Sequence, residues 1–125
     1  MLEEITVLIG EEDGKLAEIG ELLGRHSVNI ETLSATTYDG RTVVHLIVDD
    51  DQDAAEILAS NGFKVEGSRQ VMTATLDDRP GELGAYCRRL AGAGVAISAA
   101  YVMRRSGGET ELIFAVDNLQ AAQRA

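Results

Sequence analysis

The stretch Asp77-Asp78-Arg79-Pro80-Gly81-Glu82-Leu83 holds the residues of this 125-residue chain best placed for chemistry. It follows the apolar run Val71 to Leu76 and precedes residues at helical spacing, so it reads as a strand-to-helix loop. Such a loop leaves the first backbone N–H groups of the helix pointing outward, where they favour an anion such as an α-carboxylate. Gly81 allows close approach, Pro80 fixes φ at the start of the helix, and Arg79 adds positive charge if it turns toward the ligand. An α-ammonium needs acceptors, which Asp78 or strand carbonyls provide. The plainer alternative is that Pro80-Gly81 is only a rigid turn.

Other reactive side chains have structural explanations. Cys87, four residues after Leu83, falls on the apolar side of the same helix and reads as a buried small hydrophobe, since no His stands at helical spacing beside it. His45 in a buried-type strand and His26 at a helix end read as structural. Asp49-Asp50-Asp51-Gln52-Asp53 lacks the glycine and terminal glutamate of a calcium loop, so helix capping and a solvated turn explain it. Arg104-Arg105 is too short a basic pair for nucleic acid.

The elements that must position the loop emerge from an internal repeat. Sliding the chain by 67 positions matches Thr6 to Thr73, Gly14 to Gly81, Leu16 to Leu83, Leu23 to Leu90, Val28 to Val95 and Ile30 to Ile97. Gly40 falls on Gly107, after which an offset of 68 matches Val44 to Leu112 and Asp49 to Asp117, placing one extra residue in a turn of the second copy. Each copy reads strand, helix, strand, strand, helix. In the first, Ile5 to Ile9 is a strand; Leu16, Ile19, Leu22 and Leu23 give one apolar helix face; and Asp13 is available as its cap. Val28 to Thr37 is extended, Tyr38-Asp39-Gly40-Arg41 signals a hairpin, and Val43 to Val48 is a central strand. Asp51 or Asp53 caps a short helix ended by Asn61-Gly62, and Phe63 and Val65 form a brief last strand. The second copy repeats this with strands Val71 to Leu76, Val95 to Met103 and Thr110 to Val116, the turn Ser106-Gly107-Gly108, and helices from Gly81 and from Asn118, then stops before a last strand.

The expected fold class is α+β: tandem ferredoxin-like βαββαβ units with antiparallel sheets and helices on one face, residues 1–66 and 67–125, the second unit lacking its last strand. Units of about 60 residues are marginal alone, which favours packing on each other or on a second chain. A homodimer is the expected assembly. Composition narrows the function classes. With 45% hydrophobic and 26% charged residues the chain buries a core, and 11 Lys and Arg against 21 Asp and Glu, a net charge of −10, would repel nucleic acid and anionic membranes alike. A single cysteine and an acidic start, Met1-Leu2-Glu3-Glu4, lead to a cytoplasmic expectation. No base and nucleophile pair or metal set stands out, so neither catalysis nor a cofactor is expected.

The loop motif, with Gly94-Val95-Ala96-Ile97 opening the next strand, resembles the ACT-domain family, whose signature is Asp-x-Pro-Gly-x-Leu followed by a Gly-x-Asn-Ile-like strand start. The first copy departs from it: Glu11-Glu12-Asp13-Gly14-Lys15-Leu16 lacks the Pro, while Ser27-Val28-Asn29-Ile30 keeps the Asn-Ile. The resemblance implies a free-standing tandem ACT protein that binds an amino acid and regulates an enzyme or regulator of amino-acid metabolism. It assigns Asp78, Arg79, Pro80, Gly81, Glu82 and Leu83, with Glu11, Gly14, Asn29, Ile30 and Ile97, to ligand binding. Three acids at Glu11, Glu12 and Asp13 make the first copy the poorer carboxylate site. A composite site, the Asp78 to Leu83 loop of one unit facing the Asn29-Ile30 strand of another, is one arrangement consistent with the pattern. The competing function is a constitutive dimerisation or interaction module with no ligand.

Overall fold

A computed structural model describes residues 2–49 and 51–125, without the side chains of Asp51 and Gln52. Its elements are β1 (Leu2–Ile9), α1 (Lys15–Arg25), β2 (Ile30–Tyr38), β3 (Arg41–Val48), α2 (Asp51–Ser60), β4 (Lys64–Asp77), α3 (Glu82–Gly92), β5 (Ile97–Ser106), β6 (Glu109–Val116) and α4 (Leu119–Arg124). Two compact units divide the chain between Arg69 and Gln70, inside β4, with Leu2 grouped in the second unit. Val65, expected with Phe63 in a brief last strand, and the strand expected at Val71 to Leu76 fall in one 14-residue strand, which Phe63 immediately precedes. No helix among the described residues is long and apolar enough to cross a membrane.

In the first unit the strands lie in the order β2-β3-β1-β4, and β3 is antiparallel to both β1 and β2. Alternation along the strands sends Ile5, Val7, Val44, Leu46 and Val48 to one face, where they bury against Ile19, Leu22 and Leu23 of α1 and Ala54 and Leu58 of α2. Each fully buried Leu or Ile there stabilises the unit by roughly 2 kcal/mol. The second unit repeats the plan in the order β4-β6-β5, again antiparallel. Met72, Leu112 and Phe114 pack on Tyr86 and Leu90 of α3 and Ala122 of α4, with the Tyr86 and Phe114 rings 5.2 Å apart. Burial raises the Tyr86 phenol above its ordinary pKa, opposed by the Arg89 charge and reinforced by Cys87. Cys87 is only half-buried at the margin of this core, so Tyr86 takes the inward position expected of it.

Several local expectations are corrected. Asp13 does not cap α1: Gly14 is itself the N-cap, in a left-handed conformation (φ 84°), with no side-chain cap bond. Asp13 stands one residue too early for its carboxylate to take the N-cap role. Leu16 is 41% exposed, and Leu83, its counterpart in α3, is 48% exposed, so the apolar face of α1 starts at Ile19. The expected Asp51 cap lies outside the described side chains, while Asp53 falls inside α2. The helix expected from Asn118 begins with Asn118 as its N-cap, its Oδ1 accepting the Ala121 N–H at 3.0 Å.

The extra residue of the second repeat is in a strand, not in a turn. Both hairpins close through two positive-φ residues, Asp39-Gly40 between paired Tyr38 and Arg41, and Gly107-Gly108 between paired Ser106 and Glu109. They correspond at an offset of 68, so Gly40 matches Gly108. The register break between Val102 and Arg104, which has no counterpart in β2, absorbs Met103 as a bulge. A bulge on an edge strand disturbs one ladder only, whereas a three-residue loop would change the tight hairpin itself.

One contact recurs in both units. The Asp49 carboxylate accepts the Asn29 N–H at 2.8 Å while the Asp49 N–H donates to the Asn29 carbonyl at 3.0 Å. Asp117 and Ala96 repeat it at 2.9 and 3.1 Å. The clasp ties the end of the central strand to the start of its hairpin partner. Replacing Asp117 or Asp49 by Ala should each lower stability by about 1 kcal/mol, a charge-assisted bond discounted for exposure. Urea unfolding checks this, and unchanged midpoints in both variants would assign the clasp no energetic role.

Candidate functional site

The loop between β4 and α3 is built by a sharp reversal. Gly81, at φ 89° and ψ −16°, occupies the N-cap position, and its carbonyl accepts the Ala85 N–H at 3.0 Å. The Asp78 N–H donates to the Gly108 carbonyl at 2.9 Å, pinning the loop to the β5–β6 hairpin. The Leu83 and Gly84 N–H groups belong to the first turn, beyond reach of any intrahelical carbonyl. The loop therefore presents amide donors, as anion binding requires.

The charged side chains fit that geometry. Arg79 bridges Asp77 at 2.9 Å and Glu82 at 2.8 Å on the loop surface. Its guanidinium pKa is raised, first by the hydrogen bond to Glu82, then by the charges of Asp77 and Glu82. The cation is thus held beside the start of α3, though neutralised by two acids that a ligand carboxylate would have to displace or share. Asp78 has one oxygen 4.0 Å from Arg105 Nε, across from the hairpin. Pro80 and Gly81 are exposed, Leu83 stands open to solvent, and a Cβ on Gly81 would meet nothing within 4 Å. Gly81 is required there for its backbone angle and not for space.

The first repeat makes the same turn with different chemistry. Gly14 matches Gly81 in φ, and an open groove of about 680 Å³ lies against it, lined by Glu11, Glu12, Asp13 and Leu16 and floored by Ala35, Thr37 and Thr42. Three acids surround this groove, with Lys15 paired to Glu18 at 3.4 Å.

The strand-start residues do not join these loops within a repeat. Ile30 starts β2 opposite Val48, with Asn29 just before it, whereas the residue 10–14 loop follows Ile9, which pairs with Thr42 at the other end of β3. Ile97 pairs with Val116, and the Asp78 loop follows Asp77, which pairs with Glu109. Six residue steps of β3 and seven of β6 separate the two pairs of features, roughly 20–23 Å. The Asn29 N–H and C=O are taken up by the Asp49 clasp.

Three features escape a reading of residue types. The Asp49 and Asp117 clasps were visible as a repeat identity, but their partners are backbone groups, which no side-chain pattern marks. Thr110 is 7% exposed, and its Oγ1 has no hydrogen-bond partner among the described residues. Glu4 is fully buried on the sheet face away from the helices; Arg69 Nε donates to it at 2.6 Å, and His45 Nδ1 lies 3.3 Å from it and 3.1 Å from Thr6 Oγ1. A groove of about 320 Å³ adjoins this cluster, lined by Thr6, His45 and residues 66–69. A glutamate gives no sign in the sequence that it will be buried. His26, read as structural, places Nδ1 3.0 Å from the Leu22 carbonyl at the end of α1.

Comparison with known proteins gives a consistent result. Residues 1–125 match the family model described as an ACT domain pair. No curated protein sequence matches the chain. Among solved structures, protein BT0572 from Bacteroides thetaiotaomicron aligns with a TM-score of 0.89 at 20% identity, covering 98% of this chain and 84% of that one. The ligand-free regulatory subunit of aspartate kinase from Thermus thermophilus aligns at 0.74 and 18% identity, covering 98% and 89%. The corresponding subunit from Thermus flavus aligns at 0.66 and 15%, covering 99% and 90%. These likenesses establish the fold, tandem ferredoxin-like units of mixed α+β structure.

The turn geometry has a direct test. Gly81→Ala forces a Cβ into a left-handed conformation and should cost about 1–2 kcal/mol. Gly84→Ala, inside α3 with nothing within 4 Å of an added Cβ, should instead stabilise by up to ~1 kcal/mol. Chemical denaturation distinguishes them, and equal effects would contradict the turn described.

Proposed function

Because the chain belongs to the ACT domain pair family, we propose that it is a regulatory protein that binds a free amino acid through the loop between β4 and α3. The supporting observation is the turn at Gly81, which exposes first-turn amides beside Arg79 and Asp78. A zwitterion finds complementary groups there: amides and a guanidinium for the carboxylate, Asp78 or loop carbonyls for the ammonium. Pro80 and Gly81 hold the backbone, and Leu83 offers an apolar contact. Glu11 and Gly14 form the matching but acidic turn of the first repeat. Asn29, Ile30 and Ile97, remote from the loop of their own repeat, serve this reading if a loop from elsewhere faces them, as in the composite site.

The protein acts by changing its contacts when ligand fills the site, a difference in affinity between two states and no chemistry of its own. The regulated partner is an enzyme or regulator of amino-acid metabolism; aspartate kinase regulatory subunits of the same fold supply the analogy. A homodimer in the cytoplasm is the working form. The competing reading, a constitutive interaction module, is favoured by the exposure of Tyr38 and Leu33 on the edge strand β2.

Thermal unfolding in the presence of each common amino acid decides between them. A ligand at ~100 times its Kd adds about 2.7 kcal/mol, a shift of several degrees for a chain of this length. One selective shift, reduced by Asp78→Ala, is the expected result. No shift with any amino acid would favour the interaction module.

A further inference from the structure

We propose that the Thr110 hydroxyl is a ligand contact, and that the second repeat alone takes the amino acid, one molecule per chain. The proposal rests on the amino-acid reading of the β4–α3 loop and adds a residue and a stoichiometry to it.

Thr110 lies in β6 on the same face as Leu112 and Phe114, the face covered by the helices. It stands directly opposite Leu76, two residues before Asp78, at the end of the sheet from which the loop leaves. Its Oγ1 is buried and unpartnered among the described residues. A hydroxyl removed from water without a hydrogen bond is destabilising, and an apolar residue of the same size would avoid that cost. The first repeat shows the alternative. Its equivalent, Thr42, pairs across the hairpin with Thr37, and the two hydroxyls bond at 2.6 Å. In the second repeat the position of Thr37 is taken by Arg105, paired in register with Thr110. Arg105 extends toward Asp78 and leaves the hydroxyl alone.

The two replacements act in one direction. The first repeat satisfies its hydroxyl internally and surrounds its turn with acids, whereas the second leaves a donor and acceptor unused beside a turn whose acids, Asp77, Asp78 and Glu82, are faced by Arg79 in the turn and Arg105 from β5. A ligand carboxylate at the Leu83 and Gly84 amides completes the set by accepting from Thr110 Oγ1.

Calorimetry of the full chain tests this with the amino acid that gives the largest thermal shift, comparing wild type with Thr110→Val, Thr110→Ser and Thr42→Val. One molecule per chain is expected for wild type, with binding roughly tenfold weaker in Thr110→Val, the loss of one hydrogen bond to a charged group. Thr110→Ser should restore most of it. Without ligand, Thr110→Val should melt no lower than wild type, because it removes an unsatisfied group. Undiminished binding in Thr110→Val, two molecules per chain, or a loss in Thr42→Val in place of Thr110→Val would overturn the assignment while leaving amino-acid binding intact. A ligand-free Thr110→Val protein melting several degrees lower would show that the hydroxyl is satisfied within the protein, and would also overturn it. Failure of every amino acid to bind wild type would remove both this inference and the reading beneath it.

Discussion

The reversal from strand to helix at a left-handed glycine is the constraint on which the rest of each repeat depends. A chain leaving a sheet must turn back over it within a few residues to lay a helix on the same face, and Gly14 and Gly81 do this at nearly equal φ. Any other residue would bring its Cβ against the following carbonyl oxygen. With the turn set, α1 buries Ile19, Leu22 and Leu23 and α3 buries Tyr86 and Leu90, each against its own sheet. The same turn fixes what is left outside: one leucine in the first helical turn, Leu16 or Leu83, and the amides that have no intrahelical partner. Fold and candidate site are two consequences of one backbone conformation.

What the backbone holds in common, the side chains separate. Glu11, Glu12 and Asp13 give the first turn a field that disfavours anions, while in the second Arg79, and Arg105 from the neighbouring strand β5, stand beside acidic partners. The difference extends to the hairpin, where a satisfied pair of threonines faces an arginine and a lone threonine at the equivalent places. Two copies of a fold need not be two copies of a site.

The elements and their order were legible because strand and helix periods are written in apolar residues, and because the repeat lets each half check the other. The glycine turns were legible for the same reason. What could not be read depended on backbone partners or on register. The offset change after residue 40 signalled an inserted residue, but only the pairing of Val102 and Arg104 with their neighbours places it at Met103. Asp13 looked like a cap because caps are defined by spacing, and a left-handed N-cap moves the spacing by one residue. The loop motif was visible as a string of residue types; its distance from Asn29, Ile30 and Ile97 within each repeat required the sheet.

The buried Glu4 shows how far the two repeats have diverged inside one architecture. Its counterpart in the second repeat, 67 positions on, is Val71, and the counterpart of His45, 68 positions on, is Ile113; both are fully buried. The fold therefore accepts apolar residues at these places, where the first repeat instead buries a carboxylate beside Arg69 and His45. Replacing such a cluster by apolar side chains is commonly neutral or stabilising. Its retention has a physical use in register. A slip of β1 by one residue would send Glu4 into the helix-covered face among Ile19 and Leu23 and strand Arg69 without its acid, a penalty far larger than the misplacement of a valine. In the first repeat Glu4 thus gives β1 a charged residue that fixes its pairing, whereas β4 enters its second half already aligned by the residues before it.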